Sequence, residues 1–176
     1  MSLLSKAAWL QILEQRHPSA IDMGLARVGV VADRLKAREF VAPVITVAGT
    51  NGKGSTVATL VAVGRAAGWR VAHYTSPHLV DFNERIGING ALISDAELVQ
   101  ALDAVEAVRG DISLTYFEHT TLAAFHWFQR QSPDLIVLEI GLGGRLDAVN
   151  LVDATVAVIT SVDLDHQDWL GHTIAE

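Results

Sequence analysis

The sequence has no cysteine in 176 residues, which excludes disulfide frameworks, zinc–thiolate sites and thiol nucleophiles. No apolar run approaches the ~20 residues that span a bilayer. Near the N-terminus Lys6, Gln11, Glu14 and Arg16 interrupt every apolar stretch, so no secretory signal pattern forms. Positive charge is scarce. Thirteen Lys and Arg stand against twenty Asp and Glu, a formal charge of −7, and lysine occurs only three times. Past Gly110 the only cations are Arg130 and Arg145. Without a basic face, nucleic acid is not an expected partner. Neither Gly-x-Ser-x-Gly nor His-Glu-x-x-His occurs, so hydrolase triads and zincins gain no support. The expected compartment is the cytoplasm, with no membrane association.

Apolar residues make up 50% of the chain, and no segment repeats or is of low complexity. A chain of this length removes ~70% of its unfolded surface from water on folding, so the core needs no staple. Leu3, Leu4, Ala7, Leu10 and Leu13 predict a helix over 3–16, stopped by His17-Pro18-Ser19. Leu25, Val28, Val31 and Leu35 mark a second. Residues 44–48 read as an apolar strand, then a glycine loop, then a helix from about Ser55 to Ala67, with Gly68 just past its end. A strand at 70–74 precedes a hairpin, 85–88 and 91–93, turned by Asn89-Gly90. Ser94 with Glu97 is a capping box opening a helix to about Val108. A helix near 118–131 and strands at 135–140 and 155–160 complete the pattern. Continuous apolar strands alternating with helices predict an α/β fold: a mainly parallel sheet with helices on both faces. Ligands of such sheets sit at the carboxyl ends of the strands, here after 48, 74, 138 and 160.

The strongest chemical signal is Gly49-Thr50-Asn51-Gly52-Lys53-Gly54-Ser55, between a strand and a helix. Glycines let backbone N–H groups point at phosphate oxygens, and the helix N-terminus adds about half a positive charge. Lys53 would reach the β/γ-phosphates. The generic P-loop pattern is not met, since it wants Gly at Val47 and Ser or Thr at Gly54. A plain glycine turn explains the glycines but not the lysine among them. Leu135–Glu139 is an apolar strand ending in an acid, suited to Mg²⁺ beside a nucleotide. Gly141-Leu142-Gly143-Gly144-Arg145-Leu146-Asp147 is a second glycine loop. Asp163–Asp168 fails as a calcium loop, because Asp168 stands where that loop needs glycine. His166 is better placed near the magnesium site. His119 and His126, two turns apart, are expected to serve packing or solvation.

Four stretches together resemble the dihydrofolate synthase/folylpolyglutamate synthase family. They are Val47–Ser55, Thr75-Ser76-Pro77-His78-Leu79, Leu138–Asp147 and Asp165–Gly171. That family belongs to the Mur-ligase-like, ATP-dependent amide ligases. Ile21–Leu25 and Asp111–Glu118 resemble its bifunctional bacterial branch. The resemblance implies a P-loop NTPase-like fold of the Mur-ligase central-domain type. It implies ATP and Mg²⁺ as cofactors, with dihydropteroate, tetrahydrofolates and L-glutamate as substrates. Thr50, Asn51, Gly52 and Lys53, within the loop Gly49–Ser55, would hold the phosphates. Ser76 and Glu139 would hold one Mg²⁺ and His166 a second, with Lys53, Glu139 and His166 serving catalysis. Asp22, Met23, Gly24 and Leu25, with Thr115, Tyr116, Phe117, Glu118 and Leu146, would border the pterin. Family members are more than twice as long, so 1–176 would be a truncated N-terminal ATP-binding domain, inactive alone and monomeric. Two rival readings remain. One is a Mur-type peptidoglycan ligase, disfavoured by Gly54-Ser55 because those enzymes more often carry Thr directly after the lysine. The other is a nucleotide-binding module without catalysis.

Overall fold

The computed structural model describes residues 4–19 and 21–173. Leu3, which the first helical pattern includes, lies outside them. Helix α1 (Lys6–Arg16) opens on Ser5, whose hydroxyl accepts the Ala8 N–H. It buries Trp9 and Leu13, while Leu4 and Ala7 stay exposed. The helical period was visible in the sequence, but not which face turns inward. Helix α2 (Ala26–Leu35) buries Val28, Val31 and Ala32.

Strand β1 (Val44–Ala48) leads through the glycine loop into α3 (Lys53–Ala66). This helix starts two residues before the expected Ser55, because Gly52 at φ +84° serves as its N-cap. Lys53 therefore sits in the first turn of the helix. Strand β2 (Val71–Tyr74) is followed by a 3-10 turn (Phe82–Arg85) and a hairpin of β3 (Ile86–Ile88) and β4 (Ala91–Leu92). Arg85 belongs to the turn and not to the strand. Helix α4 (Asp95–Arg109) carries the expected Ser94–Glu97 capping box. Helix α5 (Tyr116–Gln131) begins at Tyr116 and not at 118, because Thr115 and Glu118 form a second capping box. Strand β5 (Leu135–Glu139), a 3-10 turn (Ala148–Leu151), β6 (Val156–Ile159) and a single turn, α6 (Gln167–Leu170), follow.

The strands form a six-stranded sheet in the order β4-β3-β2-β5-β1-β6. The pairs β2/β5, β5/β1 and β1/β6 are parallel, and the hairpin joins β2 antiparallel. The larger core joins one sheet face to α1, α2, α4 and α5. The smaller one joins Val57 and Val61 of α3 to Val47, Val71, Leu135 and Val137. Each such side chain contributes about 1.5–3 kcal/mol on burial, so β5, buried at every residue, anchors the sheet. Helices cover both faces of the sheet, more thinly at β6. In β6, Val156 and Ile159 are 50% and 68% exposed at the sheet edge, where β6 pairs with β1 alone, while Val158 packs against the core formed with α3. No described helix is long and apolar enough to cross a membrane. His119 is buried against Trp9, its Nε2 on the Leu102 carbonyl at 3.1 Å, and burial pushes its pKa down to about 4. Burial also lowers that of His126.

Candidate functional site

Register sets the site. Val47 pairs with Glu139, Ala48 with Ile159 and Tyr74 with Leu138, so four parallel strands end at one edge of the sheet. The loop after β1 needs its glycines for two reasons. Gly49 has φ +132°, and a Cβ there would fall 2.1 Å from Thr160 Oγ1. Gly52 takes the left-handed turn into α3. The segment after β6 ties this loop down. The Thr50 N–H donates to the Ser161 carbonyl at 2.6 Å. Thr160 Oγ1 donates to the Asn51 carbonyl at 2.8 Å, and the Asp163 N–H donates to Thr50 Oγ1 at 2.9 Å. Lys53 Nζ folds back onto the Gly49 and Thr50 carbonyls at 2.7 and 3.1 Å. Only Gly49, Thr50 and Lys53 of the expected phosphate set line the adjoining 620 Å³ cavity. Asn51, Gly52, Gly54 and Ser55 stand exposed beside it, at or next to the start of α3. A helix N-terminus with free N–H groups and a lysine is fitted to hold an anion.

Glu139 and Ser76 meet: the Ser76 N–H donates to Glu139 Oε2 at 3.2 Å. A Cβ at Gly54 would lie 3.9 Å from the same oxygen, so Glu139 faces the first turn of α3. Burial pushes the Glu139 pKa up, and the Ser76 N–H and the Lys53 charge offset this only in part. A buried oxygen donor short of counter-charge fits a hard divalent cation. Among the described residues no three His, Cys, Asp or Glu side chains converge, so Glu139 is the one carboxylate here, beside Ser76. That suits Mg²⁺, which keeps several waters or phosphate oxygens. His166, at φ +47°, is exposed beside Asp165 and borders both cavities at this edge.

The second cavity, of 450 Å³, has mainly apolar walls. Asp22, Met23, Thr115, Phe117, Glu118 and Leu146 of the expected pterin border line it. Gly24, Leu25 and Tyr116 do not: Leu25 caps α2, and Tyr116 packs edge-on against Phe82. Two of the lining acids are already engaged. Arg27 grips Glu118 through both oxygens at 2.9 and 2.8 Å and Asp22 at 2.7 Å. Glu118 also accepts the Thr115 N–H at 2.7 Å.

Three contributors escaped the sequence reading. Arg27 joins two candidate residues. Asp147 shapes the second glycine loop, accepting the Leu142 and Val149 N–H groups at 2.8 and 2.9 Å, while burial pushes its pKa up to about 6. Arg85, 9% exposed, lines the apolar cavity. A capping-box search at Thr115–Glu118 would have pointed to a buried Glu118 in need of a cation. The second glycine loop places Asp147 at this edge, but nothing in the sequence shows that it is buried or that Arg85 joins it.

Sheet order, loop position and strand-end carboxylate together define a P-loop-type α/β fold like that of the Mur-ligase central domain. Comparison with known proteins narrows the class. The chain is 51% identical over 165 residues to dihydrofolate synthase/folylpolyglutamate synthase of Escherichia coli (strain K12), covering 94% of this chain and 39% of that protein. The Haemophilus influenzae protein of the same name is 46% identical over 167 residues, 95% of this chain and 38% of its own. The solved structure of E. coli FolC in complex with DHPP and ADP superposes with a TM-score of 0.96 at 49% identity, over 98% of this chain and 42% of that one. A bifunctional folylpolyglutamate synthase/dihydrofolate synthase with Mn, AMPPNP and L-glutamate bound gives 0.91 at 50% identity, over 98% and 42%. A scan of protein-family profiles finds no match. Along the stretch it spans, the chain belongs to the dihydrofolate synthase/folylpolyglutamate synthase family. It spans about two fifths of the length of these relatives.

Proposed function

We propose that this chain forms the nucleotide- and pterin-binding part of an ATP-dependent ligase. The enzyme joins L-glutamate to dihydropteroate and extends tetrahydrofolates with further glutamate. The observation that carries this reading is the meeting of phosphate loop and apolar cavity at the Ser76–Glu139 contact. Relatives solved in complex with DHPP and ADP, and with Mn, AMPPNP and L-glutamate, support it. The substrate carboxylate attacks the γ-phosphorus, giving an acyl phosphate and ADP. The glutamate amine then attacks the acyl carbon and expels phosphate. Lys53 leaves the Gly49 and Thr50 carbonyls to meet the β/γ-phosphates, and the N–H groups at the start of α3 hold them. Ser76 and Glu139 would hold a magnesium ion and His166 a second; when bound, Mg²⁺ neutralises charge on the transferring phosphoryl group. Asp22, Met23, Thr115, Phe117, Glu118 and Leu146 enclose the pterin side. We assign 1–176 to the N-terminal ATP-binding domain, acting in the cytoplasm as part of a monomer. Ligation then needs residues beyond this stretch, because it must hold acyl phosphate and amine together.

The test is Mg²⁺-dependent nucleotide binding by calorimetry. Glu139→Ala should weaken it far more than His166→Ala, since Glu139 is the buried charge beside α3. Equal losses, or none for Glu139, would make the acid structural and remove the ATP reading.

A further inference from the structure

Arg85 is the cation this site leaves unmatched. The other well-covered arginines are paired: Arg16 with Glu106, Arg27 with Asp22 and Glu118, Arg109 with Glu106. Arg85 is 9% exposed, yet no described carboxylate lies within ion-pair distance of it. Its Nε donates to His78 Nδ1 at 2.9 Å, and Nε is the only guanidinium nitrogen with an acceptor among the described residues. The group rests on two rings, with its central carbon 5.2 Å from the Phe82 centroid and 5.7 Å from that of Tyr116. These contacts fix its plane without neutralising it. A buried charge without a counter-ion is costly to keep, and cation–π contact returns only part of that cost.

The cavity it lines supplies the missing partner. Ile21, Met23, Pro77, Phe117 and Leu146 give it apolar walls. Its acids are spoken for: Asp22 and Glu118 by Arg27, and Asp147 by backbone N–H groups. The unmatched charge is therefore positive and sits at Arg85. A planar guanidinium offers parallel N–H groups that match a carboxylate. Ser76, whose N–H holds Glu139, lines the same cavity.

We infer that Arg85 is the anchor for the carboxylate of the aromatic substrate, holding the benzoate end of dihydropteroate on the Ser76 side of the cavity. The inference rests on the folate reading above and adds to it the residue that selects an acid. His78, which accepts from Arg85 Nε at its Nδ1, is a positioning residue for the guanidinium.

The test measures binding of 7,8-dihydropteroate and of its analogue lacking the carboxylate, to this chain and to Arg85→Met. The wild type should prefer the acid by about tenfold or more, as expected for a charge-assisted hydrogen bond. Arg85→Met should erase that preference by weakening the acid alone, with a melting temperature equal to or above the wild type's. Equal weakening of both ligands, or an unchanged preference, overturns the inference while leaving the folate reading intact. If the wild type binds neither ligand, the folate reading fails and takes this one with it. Should Arg85→Met melt lower, Arg85→Lys decides. Retained charge on a sound fold should keep part of the preference, and loss of both ligands together would mean a structural role.

Discussion

Two glycine-rich loops leave adjacent parallel strands at the same edge, and the glycines do different work in each. In Gly49–Gly52 they serve the backbone: Gly49 and Gly52 take positive φ, and Gly49 lies against Thr160 and Ser161. In Gly141–Asp147 one glycine, Gly143, also takes a positive φ, but Gly141 does not. Gly141 is small because a Cβ there would meet Phe117 Cζ at 2.5 Å. The first loop is pinned by hydroxyls and carbonyls from beyond β6, the second by one buried carboxylate, Asp147. Similar composition therefore marks a backbone turn into a helix in one place and a packing joint against the apolar cavity in the other.

The largest effect should come from Gly49→Ala. It combines a strained φ with collision against backbone, at a cost of about 2–4 kcal/mol. Nucleotide binding should vanish, and no single repacking change should restore it. Gly141→Ala should cost about 1–3 kcal/mol, but Phe117→Leu in the same chain should recover most of it. Nucleotide binding should stay intact in both, as denaturant melts and calorimetry can read. If Phe117→Leu rescued nothing, the two loops would not differ in kind.

A smaller effect separates the loops by pH. Asp147 holds its proton up to about pH 6 when folded, against an ordinary value of 3.8. Between these values the folded chain binds more protons than the unfolded one, so this group's contribution to stability falls as pH rises from about 4 to 6. The melting temperature at pH 5 should exceed that at pH 7 by a few degrees, and Asp147→Asn should lose that part of the slope. A variant with the wild-type slope would free Asp147 of the charge. The smallest effect is at the latch. Thr160→Val removes the hydroxyl that serves the Asn51 and Ala48 carbonyls, at about 1 kcal/mol, while Thr160→Ser should lie close to wild type.

The two loops also show how far the sequence could be read. Strand, glycine loop and lysine were legible at 44–53 because all the needed groups are local. The capping box at Ser94 is legible in the sequence, and so is the same pattern at Thr115–Glu118, which starts α5 two residues before the expected 118. In the structure Glu118 completes the capping box of α5 and lines the apolar cavity. The Gly141–Phe117 contact and the isolation of Arg85 depend on long-range packing, for which a single sequence carries no signal. The apolar run of β6 promised burial, but its place at the sheet edge left it exposed.

The central claim is that Gly49–Ser55 holds nucleotide phosphates with Lys53 as their cation. The direct measurement is a thermal melt of the chain with and without millimolar Mg·ATP, for the wild type and for Lys53→Ala. A ligand bound only by the folded state adds ~2.7 kcal/mol at 100 times its Kd. The wild type should melt higher with Mg·ATP, and Lys53→Ala should show no shift while melting normally without ligand. An unshifted wild type, or a Lys53→Ala chain that shifts just as far, would contradict the claim.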